Sequence, residues 1–297
     1  MNILLTGASG FIGSALASRL TKNGHSVVPL RRALAGSAPG PTWNPTAGQI
    51  RLESTGPLDA VVHLAGENIA QRWTPAAKER IRASRVDATR LLCEALVTLP
   101  QPPRVLVCAS ATGFYGDRGD EMLDERSGSG AGFLPEVCRA WEAAADPARL
   151  QGIRVVHLRL GIVLARHGGA LAQMLSAFQL GLGGRLGDGR QYWSWIALED
   201  LLHVIEWSLV NASFSGAVNA VSPGAVTNAD FTRELGRALQ RPAFLPVPAT
   251  AVRLFFGEMG SEALLASARV RPARLLECGF KFRFPQLDTA FGHLLNR

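Results

Sequence analysis

The sequence predicts an α/β fold: a Rossmann doubly wound parallel sheet followed by a smaller C-terminal α/β substrate-side domain. Three observations lead there. Short apolar and β-branched runs alternate with stretches of helical spacing, the pattern of a parallel sheet covered on both faces. A glycine triplet separates the first run from the first helical stretch, in TGASGFIG at residues 6–13. Beyond residue 165 the alternation loosens around a glycine cluster at 181–189, which divides the chain into a dinucleotide-binding domain at 1–165 and a substrate-side region at 166–297.

Taken in order, residues 2–6, 25–30, 59–64, 104–109 and 153–160 read as strands. Residues 14–22, 75–97 and 135–150 carry apolar side chains at helical spacing. The stretch 32–48, RALAGSAPGPTWNPTAG, reads as a long loop because glycine, proline, alanine and threonine dominate it. In the second part, helices are expected at 170–180 and 197–209, and Thr227 followed by Asp230 forms a capping-box-like start for a helix through Leu239.

With 297 residues, 47% of them hydrophobic and 19% charged, the chain has the apolar content for a large core. Cys93, Cys108, Cys138 and Cys278 lie far apart, so no zinc pattern forms and no metal is expected; reduced thiols in a cytoplasmic protein are. The first strand begins at Asn2, leaving no room for a secretory leader, and no apolar run reaches the ~18 residues of a membrane span. A formal charge of +7 favours anionic ligands. Only three of the 31 basic residues are lysines, Lys22, Lys78 and Lys281, which limits any chemistry that needs a titrating amine.

The glycine motif suits a nucleotide phosphate. Gly7 permits the tight turn, Gly10 lets phosphate approach bare backbone, and Gly13 allows close contact between helix and strand. Ser9, Phe11 and Ile12 complete the expected cofactor-binding turn, whose helix presents unpaired N–H groups and a partial positive charge. The second strand ends in Arg31 and Arg32, and no acidic residue follows until Glu53. An acid there would bind a ribose hydroxyl, whereas arginine accepts a 2′-phosphate, so NADP(H) is expected in preference to NAD(H).

With TGASGFIG, VVHLAG (61–66), SATGFYG (110–116), LRLGIVL (158–164) and YWSWIALEDLL (192–202), the chain resembles the extended short-chain dehydrogenase/reductase superfamily. AGENIAQRW (65–73), RASRVDAT (82–89), VCRAWE (137–142) and the segment 267–290 are similar to its atypical "epimerase family protein" subgroup, of the 39U type. The resemblance implies that Leu64, Ala65 and Gly66 line the cofactor, that Glu67 and Arg72 lie near it, and that Gly161, Ile162 and Val163 pass its nicotinamide side. It also allows later segments to return to the first domain.

The resemblance implies a catalytic tyrosine with a lysine four residues on, a serine and an asparagine, the lysine lowering the tyrosine pKa. The positions that match hold Leu134 for the tyrosine, Cys138 for the lysine and Arg85 for the asparagine; Ser110 alone keeps its role. Tyr115, close after Ser110, is the replacement acid to consider, the alternative being a structural tyrosine whose hydroxyl bonds the backbone. Cys138, Glu136 and His63 are further candidates, against readings as a buried thiol, a solvated helix surface and a core histidine. Trp193 and Trp195, with Tyr192, either shape a substrate pocket or fill the core.

The expected function is that of an NADP-dependent oxidoreductase or epimerase-like enzyme with a non-standard proton donor, acting on a small anionic substrate. The alternative is a non-catalytic NADP(H)-binding sensor or partner-regulating protein. The basic helix around Lys78, Arg80, Arg82, Arg85 and Arg90 is balanced by Glu79 and Asp87, so neither nucleic acid nor membrane is an expected partner. The oligomeric state has no signature in the sequence.

Overall fold

The computed structural model describes residues 1–33 and 40–295. The chain runs β1 (Asn2–Thr6), α1 (Phe11–Lys22), β2 (Ser26–Arg32), β3 (Thr42–Asn44), β4 (Gln49–Arg51), β5 (Ala60–His63), α2 (Pro75–Ala83), α3 (Val86–Val97) and β6 (Val105–Ala111). It continues through β7 (Met122–Leu123), α4 (Phe133–Ala143), α5 (Asp146–Leu150), β8 (Arg154–Leu160), β9 (Ile162–Leu164), α6 (Gly169–Gln179), β10 (Tyr192–Trp193), β11 (Trp195–Ala197), α7 (Leu198–Val210) and β12 (Gly216–Ala220). The last part holds β13 (Val226–Thr227), α8 (Asn228–Leu239), α9 (Ala249–Met259), a π-helical turn at Gly260–Leu264, β14 (Arg269–Val270), α10 (Ala273–Glu277) and α11 (Leu287–Leu295).

Eight strands form one sheet in the order β12-β8-β6-β5-β1-β2-β3-β4. All neighbours are parallel except the β3–β4 hairpin. The strands are continuously apolar because helices cover both faces. Ile3, Leu5, Val62 and Val107 point to one side, against Leu16 and Leu20 of α1 and Leu201 and Ile205 of α7. Leu4, Val61 and Leu106 point to the other, against Leu92 and Leu96 of α3 and Ala148 of α5. This period of two is the pleat of a strand buried on both faces.

The strand order reverses between β1 and β5, since β2 and β3 extend to one side and β6, β8 and β12 to the other. Such a reversal opens a crevice at the carboxyl ends of the strands, where an α/β sheet binds dinucleotides. A second core, with Leu171, Phe178, Trp193, Trp195, Phe231 and Phe291, joins α6, α8 and α11 beside the sheet. The sequence division at residue 165 is crossed by the chain: α7 packs on the sheet and β12 becomes its edge beside β8.

Several elements differ from the sequence expectation. The helix at 75–97 is two helices, because Ser84 Oγ donates to Ile81 O (3.0 Å) and accepts from Glu67 N (3.0 Å), diverting the local bonding. The helix at 135–150 also divides, with Pro147 in the first turn of α5, where its missing N–H costs nothing. Of the expected loop at 32–48, residues 34–39 lie outside the described residues, while 42–44 form β3 with Trp43 buried. Asn44 Oδ1 then accepts from Ala47 N (3.3 Å), and Gly48 takes the left-handed φ of +62° that reverses the chain into β4.

Candidate functional site

The turn between β1 and α1 is built from backbone. Gly7 has φ +70°, and a Cβ there would come within 2.9 Å of the Leu64 carbonyl group. A Cβ at Gly13 would lie 2.1 Å from Gly7 O, so only glycine lets α1 descend onto the turn. Gly10 caps α1 without a side-chain hydrogen bond, which leaves the N–H groups of the first turn available to an anion. Ser9 and Gly10 are exposed there, with Phe11 and Ile12 half-buried behind them. The Phe11 ring is held by the chain before α6: a Cβ at Gly168 would lie 2.2 Å from it.

Behind the turn runs a buried hydrogen-bond chain. Thr6 Oγ1 accepts from Leu64 N and Ala65 N (3.1 Å each), which fixes the loop after β5 against β1. Its own proton therefore goes to His63 Nδ1 at 2.7 Å, and His63 Nε2 donates to Thr89 Oγ1 at 3.0 Å. Trp141 Nε1 also donates to Thr89 Oγ1 at 3.0 Å. Burial lowers the His63 pKa to about 4, so the imidazole is neutral and holds the loop in place. The geometry gives His63 the core role among its two readings.

Leu64 and Ala65 are half-buried at the switch point and Gly66 is exposed. The Glu67 carboxylate accepts from Gln71 Nε2 of its own loop at 3.3 Å and lies 3.8 Å from Arg80 of α2. Arg31 and Arg32 close β2 and are exposed, and Arg72 is exposed beyond Gln71. Ile162 lies in β9, where its N–H donates to Ser194 O at 2.8 Å. Of these, Leu64, Ala65 and Gly66 directly follow β5, and Arg31 and Arg32 close β2, at the carboxyl ends of strands on either side of β1.

The expected catalytic corner has a different construction. Ser110 Oγ donates to Glu142 Oε1 at 2.8 Å, and Glu142 holds Arg159 through two hydrogen bonds, from Nε (2.8 Å) and Nη2 (2.9 Å). Arg159 Nη1 donates to the Tyr115 hydroxyl at 3.0 Å, and its guanidinium lies 3.4 Å from the Phe114 ring centre. The Tyr115 hydroxyl lies 2.7 Å from Asn219 Oδ1 and 2.9 Å from Asp124 O, and its one proton serves those acceptors. Tyr115 is 0% exposed, and burial raises its pKa despite Arg159.

As a replacement acid Tyr115 is therefore corrected by the geometry: it is a structural tyrosine tied to β12 and to the loop around β7. Ser110, 2% exposed, is committed to Glu142. Cys138 is buried, and desolvation, with the charge of Glu142, pushes its thiol up to about 12, so it stays protonated and unreactive. Glu136 faces solvent on α4. Trp193 and Trp195 are buried in the second core, while Tyr192 is half-buried beneath Arg269, at 4.7 Å.

Sequence reasoning missed Glu142 and Arg159 as a pair, although both stand in the quoted stretches VCRAWE and LRLGIVL. It also missed Glu262, which has no local signature. From the π-helical turn, Glu262 accepts from the backbone N–H groups of Phe133 (3.1 Å) and Leu134 (2.9 Å) and so caps α4. Gly132, at φ +114°, makes room: a Cβ there would lie 3.0 Å from the carboxylate.

Residues 3–220 match the NAD dependent epimerase/dehydratase family, and residues 247–294 match a domain of unknown function, DUF1731. An epimerase family protein of Mycobacterium bovis is 41% identical over 296 residues, covering 99% of this chain and 98% of the relative. The human epimerase family protein SDR39U1 is 37% identical over 304 residues, 99% of this chain and 100% of its own. Its crystal structure (isoform 2) with NADPH superposes with a TM-score of 0.90 at 35% identity, covering all of both chains. A nucleoside-diphosphate sugar epimerase from Corynebacterium glutamicum gives 0.79 at 36% identity, covering 99% of this chain and 57% of that one. The glycine cradle and the uncapped first turn of α1 fit the pyrophosphate of such a cofactor.

Proposed function

This chain belongs to the NAD dependent epimerase/dehydratase family, and from that premise we propose that it holds NADP(H) in preference to NAD(H) and exchanges hydride with a small anionic substrate. The observation that carries the reading is the pairing of the glycine cradle at the switch point with two arginines at the end of β2. Gly7, Gly10 and Gly13 bring backbone N–H groups to the pyrophosphate, and Arg31 or Arg32 forks onto the 2′-phosphate. Leu64, Ala65 and Ile162 orient the dinucleotide along the strand ends. When bound, the cofactor supplies or accepts hydride at the nicotinamide ring.

No residue at the matched positions can shuttle the accompanying proton, since Leu134 and Cys138 replace the tyrosine and lysine and Tyr115 is enclosed. The proton therefore passes through the substrate or water. That enclosure also favours a second reading, a cofactor-holding protein without turnover.

Calorimetric titration tests the first claim. NADPH should bind at least about tenfold more tightly than NADH, and Arg31→Ala with Arg32→Ala should close the gap; equal affinity of the natural chain for both overturns the preference. Incubation with C4-deuterated NADPH and fractionated metabolites tests the second. Deuterium in a product establishes hydride transfer, and Tyr115→Phe should leave its rate within about twofold. Unlabelled metabolites throughout would establish the holding role.

A further inference from the structure

Arg85 is a cation whose hydrogen-bond partners are all uncharged. Its Nη2 donates to the backbone carbonyl of Glu67 at 3.0 Å, and its Nη1 to Ile81 O at 3.2 Å and Ser84 Oγ at 3.4 Å. The guanidinium lies 5.1 Å from the Trp141 ring centre, and a Cβ built on Gly66 would sit 3.4 Å from its central carbon. Every one of these partners is neutral. The carboxylate of Glu67 turns instead to Gln71 and Arg80, and among the described residues no carboxylate lies within 4.0 Å of Arg85. Burial lowers its pKa while Cys138 and, beyond ion-pair distance, Glu67 act the other way; a guanidinium does not give up its proton in a protein, so the charge persists.

A half-buried charge without a close opposite partner is costly for stability, and such groups cluster at functional sites; unlike Arg154, which three carbonyls at the far end of β8 enclose, Arg85 stands at the switch point beside Gly66. The position of Arg85 says which part of a ligand. The adenosine half of a dinucleotide crosses the switch point toward β2, and its nicotinamide half lies over β5, β6 and β8. Arg85 reaches the end of β5 beside Gly66 and close to Cys138, where the resemblance would have placed a lysine ammonium.

We propose that Arg85 supplies from α3 the positive charge that α4 has lost, gripping the nicotinamide-ribose half of the cofactor and making the site favour the reduced form. The proposal rests on the NADP(H) reading above. The guanidinium has five N–H donors against three neutral acceptors, so donors remain for ribose and pyrophosphate oxygens. The nicotinamide ring is positively charged when oxidised and neutral when reduced. A fixed guanidinium therefore repels only the oxidised ring.

The test is calorimetric titration of the natural chain, Arg85→Met and Arg85→Lys with NADPH, NADP⁺ and adenosine 2′,5′-bisphosphate, which lacks the nicotinamide half. The natural chain should prefer NADPH over NADP⁺ by about tenfold. Arg85→Met should weaken NADPH by about tenfold and erase that preference, whereas Arg85→Lys keeps the preference. The bisphosphate should bind all three proteins alike, which also reports an intact turn. The inference is overturned if Arg85→Met leaves the NADPH to NADP⁺ ratio unchanged, or if it weakens NADPH and the bisphosphate equally. A natural chain that binds none of the three would overturn the parent reading instead.

Discussion

The glycine turn at 7–13 and the polar corner formed by Ser110, Tyr115, Glu142 and Arg159 both sit at the carboxyl edge of the sheet, yet they are built from opposite materials. At the turn, the groups that face a ligand are main-chain amides, and the side chains have been deleted down to glycine. At the corner, side chains bond one another and leave nothing to offer. A site made of backbone keeps its ligand geometry as long as the turn keeps its shape. A site made of side chains can be converted into structure once its reacting residues are replaced.

The sharpest test of that contrast is Arg159→Met. It leaves the half-buried Glu142 without its cation, which costs about 3 kcal/mol. Chemical denaturation should show that loss while NADPH affinity in the folded fraction stays within about twofold. An affinity that falls in parallel would show that the corner and the turn are one unit.

Gly13→Ala should behave in the opposite way. Its Cβ meets Gly7 O at 2.1 Å, and the backbone shift costs about 1–3 kcal/mol, part of it returned by the helix propensity of alanine. The same shift displaces the amides of the turn, and NADPH affinity should fall about a hundredfold or more by calorimetry. Unchanged binding would contradict a backbone cradle.

The effect that vanishes at neutral pH lies between the two regions, in the chain from Thr6 through His63 and Thr89 to Trp141. His63 has a pKa of about 4 in the folded protein against 6.5 for the ordinary side chain. The unfolded chain therefore takes up the proton first, and stability is complete above about pH 6.5 and declines as the pH falls toward 4. The imidazole contributes on the order of 3 kcal/mol to that decline, and His63→Gln should flatten the slope in denaturation measured at several pH values. An unaltered slope would assign the acid sensitivity to other groups.

Much of this was readable from local pattern. The buried period-two strands, the glycine spacing and the Thr227 cap, where Oγ1 accepts from Asp230 N at 3.1 Å, are each decided within a few residues. The break between α2 and α3 was not, since Ser84 acts through its bond to Glu67, a residue in the preceding loop. Nor was the state of Tyr115, whose hydroxyl meets Asn219 across 104 positions of sequence. Glu262 meets α4 from 128 residues away.

The sequence by itself determined the five central strands of the sheet, the phosphate turn, the arginines at the end of β2 and the loss of the tyrosine and lysine pair, because main-chain geometry and residue identity are local properties. Only the tertiary structure decided which of the remaining polar groups are free to act. Whether a hydroxyl, thiol or guanidinium does chemistry depends on the partners that folding brings to it, and those partners come from distant strands. So Tyr115 and Cys138 are enclosed, while Arg85, one residue before α3, meets only neutral hydrogen-bond partners beside Gly66.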